Sequence, residues 1–227
     1  MKLEVFPDAG AVARRAAERV AAASRAAVAA RGRFTAALSG GRTPWDMLRA
    51  LAELDVPWEA SDWLQVDERV APAGDPERNF VHMRACLPAR ARVHAMPVES
   101  ADLDAAAADY ARSLARLAGA PAVLDLVHLG LGPDGHTASL VPGDAALGVT
   151  DRDVAVTSPY QGRRRMTLTY PALNRAREIL WLVTGPDKAA MLQRLVDGDA
   201  AIPAGRVRSD AAVALVDRAA LGALERR

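Results

Sequence analysis

The sequence predicts an α/β fold: a mostly parallel sheet covered by helices on both faces, in a single domain spanning residues 1–227. Three observations predict it. Short apolar runs alternate with helical patterns along the whole chain, the rhythm of repeated strand–helix–strand units. Some runs are apolar at consecutive positions, as in ILWLVT from Ile179, which suits strands buried on both faces. Glycine-containing turns follow three of the expected strands, near Ser39, Gly130 and Thr184, and in open parallel sheets ligands bind beyond the strands' carboxyl ends.

Taken in order, Leu3, Val5 and Phe6 make a first strand, and Asp8 is the expected N-cap of a helix from Ala9 to Ala30 that Gly32 stops. A second strand starts at Phe34, and a helix from Thr43 has Pro44 at its first position. Asp62–Val66 reads as a third strand, ending in the charged triplet Asp67-Glu68-Arg69. A helix around Phe80–Cys86, a short strand over Arg92–Met96 and an amphipathic helix from Asp102 to Leu117 follow. Strands are then expected at Leu126–Leu129, Val154–Thr157, Met166–Thr169, Ile179–Thr184 and Ala212–Val216, with a helix in PDKAAMLQRLV and a short one at the C-terminus.

Composition excludes several classes. The 29 Lys and Arg nearly balance the 28 Asp and Glu, for a net charge of +1, so no global field favours nucleic acid or an anionic membrane. Any anionic ligand has to be held by local groups. The single cysteine, Cys86, rules out an intrachain disulfide and fits a reducing cytoplasm. The N-terminal residues lack the charged-then-apolar pattern of a signal peptide, and arginines interrupt the alanine-rich run that follows, which excludes a membrane span there. Cytoplasmic localisation is expected, with no membrane or nucleic-acid partner, as a monomer or weak homo-oligomer. Only two lysines are present, Lys2 and Lys188.

Chemistry concentrates at four strand ends. The most informative stretch is DLVHLGLGPDGHTASLVP, from Asp125 to Pro142, where an apolar strand breaks into a glycine-rich turn carrying Asp134 and His136. A histidine two residues after an aspartate at such a place is a candidate general base with a possible orienter; packing or capping is the alternative. Ser39-Gly40-Gly41-Arg42-Thr43-Pro44 offers backbone N–H groups and a helix N-terminus to a phosphate, or else is a tight turn with Thr43 as N-cap. It is neither GxxxxGK nor GxGxxG.

In the triplet, Asp67 reads as acid, base or sugar-hydroxyl acceptor and Arg69 as an anion holder, against the ordinary alternative of a solvated cluster. Lys188 opens a helix just after a buried strand, in a chain that otherwise uses arginine, so a compact point charge is expected there. Arg163, Arg164 and Arg165 precede a strand, and one of them is a candidate to face the same pocket. His128, His82 and His94 read as packed or surface residues, and no metal-ligand spacing or nucleophile elbow is present.

The segments LSGGRTP, VDERVAP, DLVHLGLGPDGHTASLVPG, RMTLTYPALNRAR and LVTGPDKAAML, in this order, resemble the 6-phosphogluconolactonase family, within the wider group that includes glucosamine-6-phosphate deaminases. The resemblance covers nearly the whole chain. It implies a modified doubly wound, Rossmann-like fold, hydrolysis of 6-phospho-D-glucono-1,5-lactone, and no cofactor or metal. It further implies that Gly40, Gly41 and Thr43 bind the sugar phosphate or its hydroxyls, that Arg69, Arg165 and Lys188 surround the phosphate, and that His136 activates water with Asp134 beside it. The chain departs from the family pattern in PERN before Phe80, in Val141, and in its C-terminal stretch GRVRSDAAVALVD.

Two rivals are weighed. An amino-sugar-phosphate deaminase is expected to carry a glutamate shortly after the histidine, whereas here no carboxylate follows His136 until Asp144. A sugar-phosphate sensor is expected to carry a DNA-binding segment ahead of its first strand, and the first strand here is expected from Leu3.

Overall fold

The computed structural model describes residues 1–222. In chain order the strands are β1 (Lys2–Phe6), β2 (Phe34–Leu38), β3 (Ser61–Gln65), β4 (Asp67–Arg69) and β5 (Arg92–His94). They continue as β6 (Leu126–Gly130), β7 (Val154–Val156), β8 (Arg165–Leu168), β9 (Glu178–Val183) and β10 (Ala212–Asp217). The helices are α1 (Ala9–Arg31), α2 (Arg42–Ala52), α3 (Asn79–Cys86), α4 (Leu103–Ala118), α5 (Tyr170–Asn174), α6 (Ala189–Val196) and α7 (Arg218–Leu221). Any part of the expected C-terminal helix beyond residue 222 lies outside the described residues.

Seven strands form one parallel sheet in the order β1-β10-β9-β6-β2-β3-β5. Strand geometry sorts its continuous apolar runs onto two faces. In β9, Ile179, Trp181 and Val183 join one core cluster while Leu180 and Leu182 join the other. Helices α1 and α2 pack over the second face with Val12, Val20, Met47 and Leu48 fully buried. On the first face lie α4, through Tyr110 and Leu114, and a smaller sheet.

Several boundaries follow from capping. The Asp8 carboxylate accepts from the Ala11 N–H at 2.8 Å and Gly32 closes α1 at φ 73°, as expected from sequence; Asp102, expected as the first residue of its helix, is instead its N-cap and accepts from the Ala105 N–H at 2.9 Å.

Three features differ from the sequence expectations. The strands expected near residues 154 and 166 do not enter the parallel sheet. With Asp67–Arg69 they make a separate antiparallel sheet in the order β4-β8-β7. The Asp67-Glu68-Arg69 triplet is therefore strand rather than a solvated end, and Glu68 is fully buried. Its carboxylate accepts from the Asn79 and Phe80 N–H groups at 2.8 Å each, satisfying the open N-terminus of α3. Finally, α2 begins at Arg42, so Pro44 is its third residue, and Gly41 rather than Thr43 holds the N-cap position.

Candidate active site

From β2 the chain proceeds outward to β3 and β5, and from β6 it proceeds the other way to β9 and β10. The connections diverge beyond the β2–β6 pair, which opens a crevice at the strands' carboxyl ends. A cavity of about 380 Å³ lies there. The turn after β2 contributes Ser39, Gly40 and Gly41, and the turn after β6 contributes Gly130, Gly132 and His136. The small sheet adds Asp67, Arg69 and Arg165, and the segment after β9 adds Lys188. Seven of the nine residues singled out from sequence thus line one cavity.

The other two sit differently. Thr43 does not reach the cavity: it is buried, and its hydroxyl is 2.8 Å from that of Thr184. It ties the turn after β2 to the end of β9. Asp134 stands behind His136. Its Oδ1 is 2.5 Å from His136 Nδ1 and accepts from the His136 backbone N–H at 3.1 Å. That second bond is an Asx-turn, the local geometry an Asp two residues upstream can supply.

Partial burial opposes ionisation of Asp134, but hydrogen bonds from the His136 backbone and ring, the His136 charge and the Tyr160 hydroxyl hold its carboxyl below the usual range. An ionised carboxylate only accepts, so Nδ1 carries the proton of this bond. Gly132 makes room for the imidazole, since a Cβ there would lie 2.1 Å from His136 Nδ1.

Positive charge in the cavity comes from Arg69, Arg165 and Lys188. Arg69 and Arg165 are direct cross-strand partners in the β4–β8 pair. Arg69 Nη1 donates to the Glu77 carbonyl at 2.6 Å and to Asn79 Oδ1 at 3.1 Å, and Arg165 Nη2 donates to Gln161 at 3.1 Å. Each Nε is buried without a partner among the described residues. Burial pushes the Arg165 guanidinium below its usual value; Asp67 opposes that shift and Arg69 adds to it. Lys188 Nζ contacts Asp187 at 2.9 Å. Arg163 is paired with Asp75 and Glu77, and Arg164 donates to the Thr157 carbonyl at 3.4 Å, so Arg165 is the member of that run on the cavity wall. Asp67 is buried, lines the cavity and accepts from the Ser139 hydroxyl at 2.6 Å through Oδ2.

The family described as glucosamine-6-phosphate isomerases/6-phosphogluconolactonase matches residues 7–216. The chain belongs to this family. A 6-phosphogluconolactonase of Mycobacterium tuberculosis is 38% identical, with 98% of each chain covered, and one of Synechocystis sp. is 41% identical over 71% of each. Among solved structures, the 6-phosphogluconolactonase of Trypanosoma brucei matches with a TM-score of 0.87 at 25% identity, covering 99% of this chain and 98% of that one. The Thermotoga maritima enzyme of the same name gives 0.84 at 28%, covering 95% and 98%.

Some site residues escaped the sequence reading. Asn79 lines the cavity and donates to the Asp67 carbonyl at 3.1 Å. It occupies the last position of PERN, where the family pattern was expected to differ. His82, expected to be a bland residue on its helix, stacks against Trp45 with ring centroids 5.5 Å apart, and both line the cavity. Only a knowledge of which face α3 turns inward reveals them. His128, in contrast, is packed as expected: it is fully buried, and its Nδ1 accepts from the Ser39 N–H at 3.2 Å.

Proposed function

We propose that the protein hydrolyses 6-phospho-D-glucono-1,5-lactone to 6-phosphogluconate, the second step of the oxidative pentose phosphate pathway, with His136 as the general base. The observation that carries the proposal is the hydrogen-bonded Asp134–His136 pair in the same cavity as Arg69, Arg165 and Lys188. A lactone is an ester. Its opening needs an attacking water, a base for that water's proton and stabilisation of charge on the carbonyl oxygen. The phosphate is remote from the reacting carbon, so a cationic wall that holds it supplies position, and the neutral Nε2 takes the proton. The same proton then passes to the ring oxygen as the C–O bond breaks. Backbone N–H groups of the glycine turns after β2 and β6 are the candidate donors for the oxyanion. The reaction as written uses no cofactor.

The deaminase alternative is disfavoured by Asp144, the first carboxylate after His136. Its oxygens accept from Ala146 and Ser158 N–H groups at 2.8 and 2.9 Å, and it does not line the cavity. We place the reaction in the cytoplasm and assign it to the whole chain as one α/β domain, a monomer or weak homo-oligomer whose partner is the sugar-phosphate lactone. The lone cysteine supports this placement, and no described helix is long and apolar enough to cross a membrane.

The test generates the lactone in situ with glucose-6-phosphate dehydrogenase and follows its disappearance above the spontaneous rate. Native protein is expected to accelerate the loss. His136→Ala is expected to fold and to lose roughly 10²–10⁴ in kcat. Native-like turnover by this variant would remove His136 from the base role, and no acceleration by the native chain would overturn the lactonase assignment.

A further inference from the structure

Tyr160 carries neither a sequence motif nor a role in the reaction as written above. It stands where β7 turns into β8. Its N–H donates to the Arg163 carbonyl at 2.9 Å, and the Arg163 N–H returns the bond at 3.3 Å. Between them Gln161 and Gly162 have φ of 52° and 81°, the left-handed pair that a tight two-residue hairpin turn requires. Arg163 fastens the turn to the neighbouring loop through Asp75 and Glu77. The hairpin tip is thus set by local geometry and by an ion-pair anchor.

From this position the side chain reaches both halves of the site. Its hydroxyl donates to Asp134 Oδ2 at 3.1 Å, while Oδ1 of the same carboxylate holds His136. The phenol meets the His136 ring edge to face, with centroids 5.5 Å apart at 67°. The Arg165 guanidinium lies over the phenol face, its Cζ 5.0 Å from the centroid.

We propose that Tyr160 is a positioning residue, fixing the Asp134–His136 pair through its hydroxyl and the Arg165 guanidinium through its ring. The inference rests on the reading of His136 as base and Arg165 as phosphate contact. Holding both carboxylate oxygens stops the Asp134 carboxylate from rotating, and the imidazole bonded to it keeps its orientation in turn. The aromatic face gives Arg165 a fixed surface to lie on. Hydroxyl and ring therefore serve different kinetic parameters.

The experiment measures kcat, KM and melting temperature for native protein, Tyr160→Phe, Tyr160→Ala and His136→Ala on the lactone. Tyr160→Phe is expected to lower kcat roughly tenfold, the loss of one hydrogen bond to a charged group, with KM within about twofold. Tyr160→Ala is expected to lower kcat equally and also raise KM roughly fivefold. A native kcat for folded Tyr160→Phe, beside an inactive His136→Ala, would overturn the Tyr160 inference alone. Native-like turnover by His136→Ala would overturn the base reading, and the inference would fall with it. A lowered melting temperature with unchanged kinetics per folded molecule would reduce Tyr160 to a structural role. Tyr160→Phe is nearly isosteric and decides the question whatever the folding of Tyr160→Ala.

Discussion

Arg69 and Arg165 face each other directly across the antiparallel β4–β8 pair, each with a buried Nε that has no partner among the described residues. Like charges in direct cross-strand register oppose folding, and orphaned buried donors add to that cost. A bound dianion would satisfy both at once, because guanidinium donors fit phosphate oxygens in planar pairs. The pair is therefore an unfavourable arrangement that the proposed phosphate ligand would relieve.

Arg165→Met keeps the packing and removes one charge. Steady-state kinetics on the lactone should show KM raised roughly 10- to 100-fold, the worth of ~1.5–3 kcal/mol for a charge-assisted hydrogen bond, with kcat changed much less. In thermal melts, 6-phosphogluconate should raise the melting temperature of the native protein but not of the variant. An unchanged KM would take Arg165 off the phosphate.

Asp134→Asn tests the tautomer. The amide nitrogen it introduces donates where the carboxylate accepted, which favours a proton on Nε2 instead of Nδ1 and leaves no base facing the water. Turnover should fall roughly 10²- to 10⁴-fold with little change in KM. A variant with native kcat would show that the Asp134–His136 bond, at 2.5 Å, has no part in the reaction.

His128 gives a pH-dependent stability. Burial pushes its pKa down to about 3, against roughly 6.5 in an unfolded chain. Folding thus favours the neutral ring. The unfolded chain binds the extra proton below about pH 6.5, so this contribution is complete above that pH and is lost as pH falls toward 3. The slope approaches about 1.4 kcal/mol per pH unit, or about 2 kcal/mol between pH 7 and pH 5. His128→Asn offers an oxygen near the Nδ1 position for the Ser39 N–H and cannot titrate. Urea unfolding at pH 5 and pH 7 should show a stability difference for the native chain larger than the variant's by that amount. Parallel behaviour of the two would mean that His128 is not held neutral.

Much of the fold was legible because its determinants are local. Asp8 and Gly32 cap α1 by contacts within four residues, and the apolar runs of β6, β9 and β10 identify buried parallel strands by composition alone. The Asp134–His136 pair was legible for the same reason, being an Asx-turn of three residues. The small sheet was not. Its first strand consists of three charged residues, and its partner β8 lies nearly a hundred residues away, with pairing only at Asp67↔Thr167, Glu68↔Met166 and Arg69↔Arg165. Periodicity has nothing to act on in such a strand.

The sequence by itself determined the α/β class, the strand ends that line the cavity, and the local pairing of Asp134 with His136. Those follow from residue spacing and from hydrophobic pattern. Tertiary structure alone decided that Arg165 and not Arg163 or Arg164 meets Arg69. It also decided that the Thr43 hydroxyl meets that of Thr184, and that Tyr160 reaches both Asp134 and Arg165. Each of these depends on strand register or on segments distant in sequence, and a one-residue shift of β8 would turn Arg165 to the other face.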